Sequence, residues 1–247
     1  MGNGVDLVNL FGKAMAFSSG DEPVRKPEDV GRILQLIINQ PDCGASLLDA
    51  PKQAMLVSAF PQELWVPEAE RYYREVFGRQ VNLLPVLKAA TDTDKHAEFC
   101  WPTFMMPEVA FNRIWSECRN HYPASSYYGD DLERAVRDHQ RTTANGPYMA
   151  RFRARVEADE ENKNLSANEL AKQGGKYITL PERLMLGDFI WWLTGGFHLD
   201  LLNWTLCAGS RGRGGYVPCV RWDGSGLRVN YYHPGPAGDY VRARSAV

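Results

Sequence analysis

Apolar positions fall at helical spacing along much of the chain. Between Pro27 and Asn39, Val30, Ile33, Leu34, Ile37 and Ile38 predict an amphipathic helix that Cys43-Gly44 ends. Ser46 to Phe60 is apolar but carries Pro51, which splits it into two short pieces. Pro67 is expected to open a helix over EAERYYREVFG, closed by Gly78. Arg79 to Ala90 reads as a strand followed by a helix, though the pattern does not decide it. Pro107 to about His121 predicts a helix with Val109, Ile114 and Trp115 turned inward, and Asp130 to Thr142 a more polar, half-exposed one. Ser166 and Glu169 form a capping box over SANELAKQ.

The longest apolar stretch is TLPERLMLGDFIWWLTGGFHLD, Thr179 to Asp200. Thr179 and Glu182 have capping-box spacing, Pro181 suits a first turn, and Gly195-Gly196 supplies a left-handed stop. Leu184, Met185, Leu186, Phe189, Ile190, Trp191, Trp192 and Leu193 occupy most of the circumference, which predicts a helix over 180–194 buried in a core. It is shorter than the roughly 20 residues a bilayer requires, and Glu182, Arg183 and Asp188 interrupt it.

Alternation of period two marks strands. Tyr148, Ala150, Phe152, Ala154 and Val156 alternate with Met149, Arg151, Arg153 and Arg155, predicting a half-buried strand with three arginines on its wet face. Four more strands are expected at Trp204–Ala208, Tyr216–Trp222, Leu227–Tyr232 and Tyr240–Arg244, joined by turns such as GSRGRGG and DGSG. Pro218 cannot donate to a ladder, so its strand is expected at an edge or a bulge. The implied class is α+β: a loosely ordered segment at 1–26, a mainly helical region at 27–146, and an α+β domain at 147–247. In that domain an antiparallel meander sheet packs on the buried helix.

Composition changes this picture in one respect. The net charge of −2 predicts no partner, but from Asn203 onward six arginines face only Asp223 and Asp239. That segment carries +4 and leaves −6 for residues 1–202, an asymmetry that points to an anionic partner. The five cysteines are odd in number and widely spaced, as expected of reduced thiols in a cytoplasmic protein. No leader or membrane segment is read, and Asp6 stands where a myristoylation signal requires Ser or Thr.

The run from Tyr148 to Val247 also resembles a group of short, mostly bacterial uncharacterised proteins. The residues that carry the likeness are Val156 to Glu161, Ser166-Ala167, Thr179-Leu180, Glu182 to Leu184, Thr194-Gly195, His198 to Asp200, Leu206 to Arg211, Val217-Pro218 and Arg242 to Ser245. The resemblance implies a shared domain and no chemistry.

Candidate chemistry is sparse. His96, Cys100, Cys118 and His121 offer four soft zinc ligands, but their gaps are not those of a common finger, so no metal is expected. His198 with Asp188 or Asp200 suggests an oriented imidazole, yet Ser210 lacks the glycines of a nucleophile elbow. Gly209 to Gly215 lacks the Lys-Ser/Thr of a phosphate loop, and SANELA has no recognition helix after it. What remains is arginine interleaved with aromatic residues. Arg211, Arg213, Arg221, Arg228, Tyr232, Arg242 and Arg244 are expected to make a basic sheet face. That face would serve a binding protein without cofactor, engaging nucleic acid or an acidic protein surface, and no membrane. The alternative is an enzyme with a site around His198, Asp200 and Arg211.

Overall fold

A computed structural model gives the fold and describes residues 62–89 and 98–247. The helix and loose segment expected before residue 61 lie outside the described residues, as does His96. The elements in order are α1 (Gln62–Phe77), α2 (Leu84–Ala89), β1 (Trp101–Met105), α3 (Phe111–His121), β2 (Ala124–Ser126), α4 (Leu132–Ala135) and β3 (Val136–His139). There follow β4 (Tyr148–Phe152), α5 (Ala167–Lys172), α6 (Leu180–Thr194), β5 (Trp204–Leu206), β6 (Ser210–Gly212), β7 (Val217–Trp222), β8 (Leu227–Tyr232) and β9 (Val241–Ala243). Among the described residues, no helix is long and apolar enough to cross a membrane.

The expected central helix is α6, and its ends form for the expected reasons. Thr179 and Glu182 exchange hydrogen bonds across the capping box, and Gly195 closes the last turn at φ 74°. Leu180 to Ile190 are buried throughout, whereas Trp191, Trp192 and Leu193 are half-buried. The three charges that interrupt the apolar pattern are themselves buried. Each is matched by a partner from another element, as a buried charge must be. Glu182 accepts from Arg141 Nε at 2.7 Å and from the Tyr148 hydroxyl at 3.0 Å. Arg183 Nε meets Asp200 at 2.7 Å, and Asp188 accepts from the Tyr72 hydroxyl at 2.5 Å. α6 thus packs against α1, α3, β1 and β7 and is tied to them by polar contacts.

The class is α+β, with a five-stranded sheet in the order β2-β8-β7-β5-β9. Its centre, β5-β7-β8, is the expected antiparallel meander. Both edges are parallel additions: β9 returns to lie beside β5, and β2 joins β8. The division expected at residue 146 is therefore corrected, since β2 and β3 pair with β8 and β6, and residues 61–247 make one compact unit. The sheet is also covered twice. Leu206, Val217, Cys219, Val241 and Ala243 face Ala167 and Leu170 of α5, while Thr205 and Val220 share the opposite, α6-facing side.

Other local expectations need correction. Pro218 sits in a central strand, not at an edge. Its carbonyl accepts from the Cys207 N–H just beyond β5, so the missing donor falls where that ladder has ended. Asp130 to Thr142 is not one helix but a single turn, α4, leading into β3. Pro67 lies inside α1 rather than at its start. β4 stops at Phe152 and pairs with β1, and Arg151 is buried rather than wet.

Candidate functional site

The register of the sheet decides which arginines can meet a partner together. Arg221 lies directly opposite Arg228, on the α5 side of the sheet. Arg242 aligns with Thr205 and so belongs to the α6 side. The expected single basic face is thus divided between the two sides of the sheet. Arg244 is a correction outright: it is 1% exposed, and its guanidinium donates to Asp200 at 2.5 Å, to Thr205 at 3.1 Å, and to the carbonyls of Arg155 and Val156. It is an internal residue.

Most remaining arginines near the sheet are matched to acids. Arg242 pairs with Glu160, Arg228 with Asp223 at 2.5 Å, Arg153 with Asp159 at 2.7 Å and Arg155 with Glu161 at 2.5 Å. The acidic loop at 157–161 neutralises that flank. Arg221 lies over the Trp204 ring at 5.3 Å, and its buried Nε has no hydrogen-bond partner. Tyr232 is half-buried against the α5 cluster.

A different group of arginines is left without acids. Arg137, Arg211 and Arg213 line an open cleft of about 570 Å³ with Asp138, Asn168, Gly212, Gly215 and Pro234. Among the described residues, none of the three forms an ion pair. The β3–β6 ribbon places them. Val136 pairs with Gly212 and Asp138 with Arg211, so Arg137 is the extra residue of a bulge. Strict alternation would send residues 137 and 138 to opposite sides; the bulge lets both line the cleft. Arg211 is held by hydrogen bonds to the carbonyls of Ala208 and Ser210, both 2.8 Å. Burial pushes its pKa down from the usual arginine value, and the nearby Asp138 carboxylate only partly opposes that shift. Arg213 is exposed before Gly214, whose φ of 73° turns the chain back.

A row of aromatic rings is joined to the cleft lining through neighbouring residues. Tyr127 and Tyr231 lie 4.3 Å apart, Tyr231 and Tyr216 5.0 Å, and Tyr216 and His233 4.8 Å. Tyr216 and His233 directly adjoin the lining residues Gly215 and Pro234. At the other end Tyr127 contacts Tyr128, which approaches within 3.3 Å of where a Gly212 side chain would begin. The row is thus linked to the cleft lining through chain neighbours at one end and through Tyr128 at the other.

The expected acid–base residues do not converge. Asp200 is enclosed by Arg183, Arg244 and Thr205, and Arg211 belongs to the cleft. His198 stacks on Trp222 at 3.5 Å, and burial, with Arg183 nearby, lowers its pKa to about 4. The imidazole that Asp188 orients is His121, at 2.9 Å, and this hydrogen bond raises the His121 pKa. His139 meets Ser210 at 2.8 Å, but Ser210 is buried and accepts the Leu180 N–H, so the pair anchors the start of α6. Cys118 and His121 both lie on α3, yet the Cys118 thiol is buried against the Leu184 carbonyl at 4.0 Å. Among the described residues no group of three His, Cys, Asp or Glu side chains is placed to hold a metal.

Two features escaped the sequence. Arg137 was hidden in a segment that reads as helix, and the bulge that aims it leaves no mark in the residue pattern. The His121–Asp188 pair joins positions far apart in sequence, which no local spacing reveals. Compared with known proteins, the chain matches no family model, no curated protein and no solved structure.

Proposed function

We propose that the protein is a binding protein that holds an anionic partner in the Arg137–Arg211–Arg213 cleft. One observation carries this reading: three guanidinium groups without an ion pair line a single cleft, whereas Arg141, Arg153, Arg155, Arg183, Arg228, Arg242 and Arg244 are each paired with a carboxylate. An unpaired, partly desolvated cation is costly by itself, and an arriving anion offsets that cost. The fork geometry of guanidinium suits phosphate and carboxylate alike.

The test is a titration of the full chain at low salt with single-stranded oligothymidylate and with polyglutamate. At least one polyanion is expected to bind, with affinity falling steeply as salt rises. Arg211→Ala with Arg213→Ala should flatten the oligothymidylate salt slope by about two. Binding of neither polymer overturns the reading. So does a double variant that binds as tightly as the parent protein.

A further inference from the structure

We infer that the anionic partner is a single-stranded nucleic acid, with its phosphates on the arginine cleft and its bases on the Tyr127–Tyr231–Tyr216–His233 row. This rests on the cleft being the anion site. The row adds what a cleft for an acidic protein does not require: aromatic rings carried by Tyr216 and His233, the chain neighbours of the lining residues Gly215 and Pro234. Tyr127 is 68% exposed and His233 is exposed, so ring surface is open at both ends of the row. Centroid separations of 4.3, 5.0 and 4.8 Å make the row continuous. Large aromatic rings left in water are unfavourable unless something covers them, and a base covers such a ring whatever its sequence, because every base has a π-face. A duplex keeps its bases stacked on one another and cannot offer them to a protein row, so the strand must be single. An acidic peptide would satisfy the arginines and leave the rings bare.

The experiment separates base from backbone. Fluorescently labelled oligothymidylate is compared with an abasic oligomer of equal length and charge, using the full chain at fixed low salt. Polyglutamate and oligouridylate are run in parallel. Oligothymidylate is expected to bind about tenfold or more tighter than the abasic strand. Tyr127→Ala should remove most of that difference, and Tyr127→Phe, which keeps the ring, should preserve it. Either sugar supports the inference, and the tighter of the two names the polymer. Equal binding of abasic and base-bearing strands overturns the inference yet leaves the anion cleft standing. Tighter binding of polyglutamate overturns it in favour of an acidic protein. Failure of every polyanion removes both readings.

Discussion

Asp200→Asn is the sharpest probe of how this fold is held together. The Asp200 carboxylate is fully buried and accepts from Arg183 Nε at 2.7 Å, Arg244 Nη2 at 2.5 Å and the Thr205 hydroxyl at 2.5 Å. Asparagine keeps the shape but removes the charge and replaces one acceptor with a donor. Two guanidinium groups then remain buried with no anion between them. Removing one partner of a buried pair costs about 3–5 kcal/mol, and the sharing of this carboxylate by two cations places the loss near ~5 kcal/mol. That is a large share of the roughly 5–15 kcal/mol that holds a typical domain folded. Urea unfolding of the full chain, followed by circular dichroism, reads the loss as a fall in midpoint at unchanged slope. A loss below about 1 kcal/mol would refute the reasoning, because exposed, screened charges behave in that way.

The other expectations follow from the same structure. Leu186→Ala, at a fully buried α6 position facing Tyr72, Tyr73 and Phe104, should cost about 2–5 kcal/mol by thermal unfolding, and the half-buried Leu193→Ala should cost less. Asp188 raises the His121 pKa above 6.5, so this pair's stabilisation is present below pH 6.5 and lost as pH rises through the raised value. In His121→Gln that alkaline decline of the melting temperature should flatten. His198 has the opposite sign: burial holds it neutral, so stability is present above pH 6.5 and falls as pH drops towards about 4. His198→Phe should reduce that acid-side loss, and a pH profile identical to the parent's would contradict the assignment. Ser166→Ala should cost about 1 kcal/mol by removing one half of the α5 capping box, read by the same unfolding assay.

Some of this was written in short-range chemistry. The start and end of α6, the capping box of α5, the inward face of α3 and the three antiparallel strands β5, β7 and β8 all follow from contacts a few residues apart, and local spacing encodes them. The α+β class follows from those elements. What the sequence could not determine is which charges meet. Arg244 and Arg228 look alike as residues on alternating strands, yet register puts one against buried Asp200 and the other at the surface beside Asp223. Glu182, Arg183 and Asp188 read as flaws in an apolar helix and are its ties to Arg141, Asp200 and Tyr72. The parallel edges β2 and β9, and the bulge that turns Arg137 into the cleft, depend on pairing between distant segments. Pairing of that kind is settled by burial of whole faces, and only the folded chain brings those faces together.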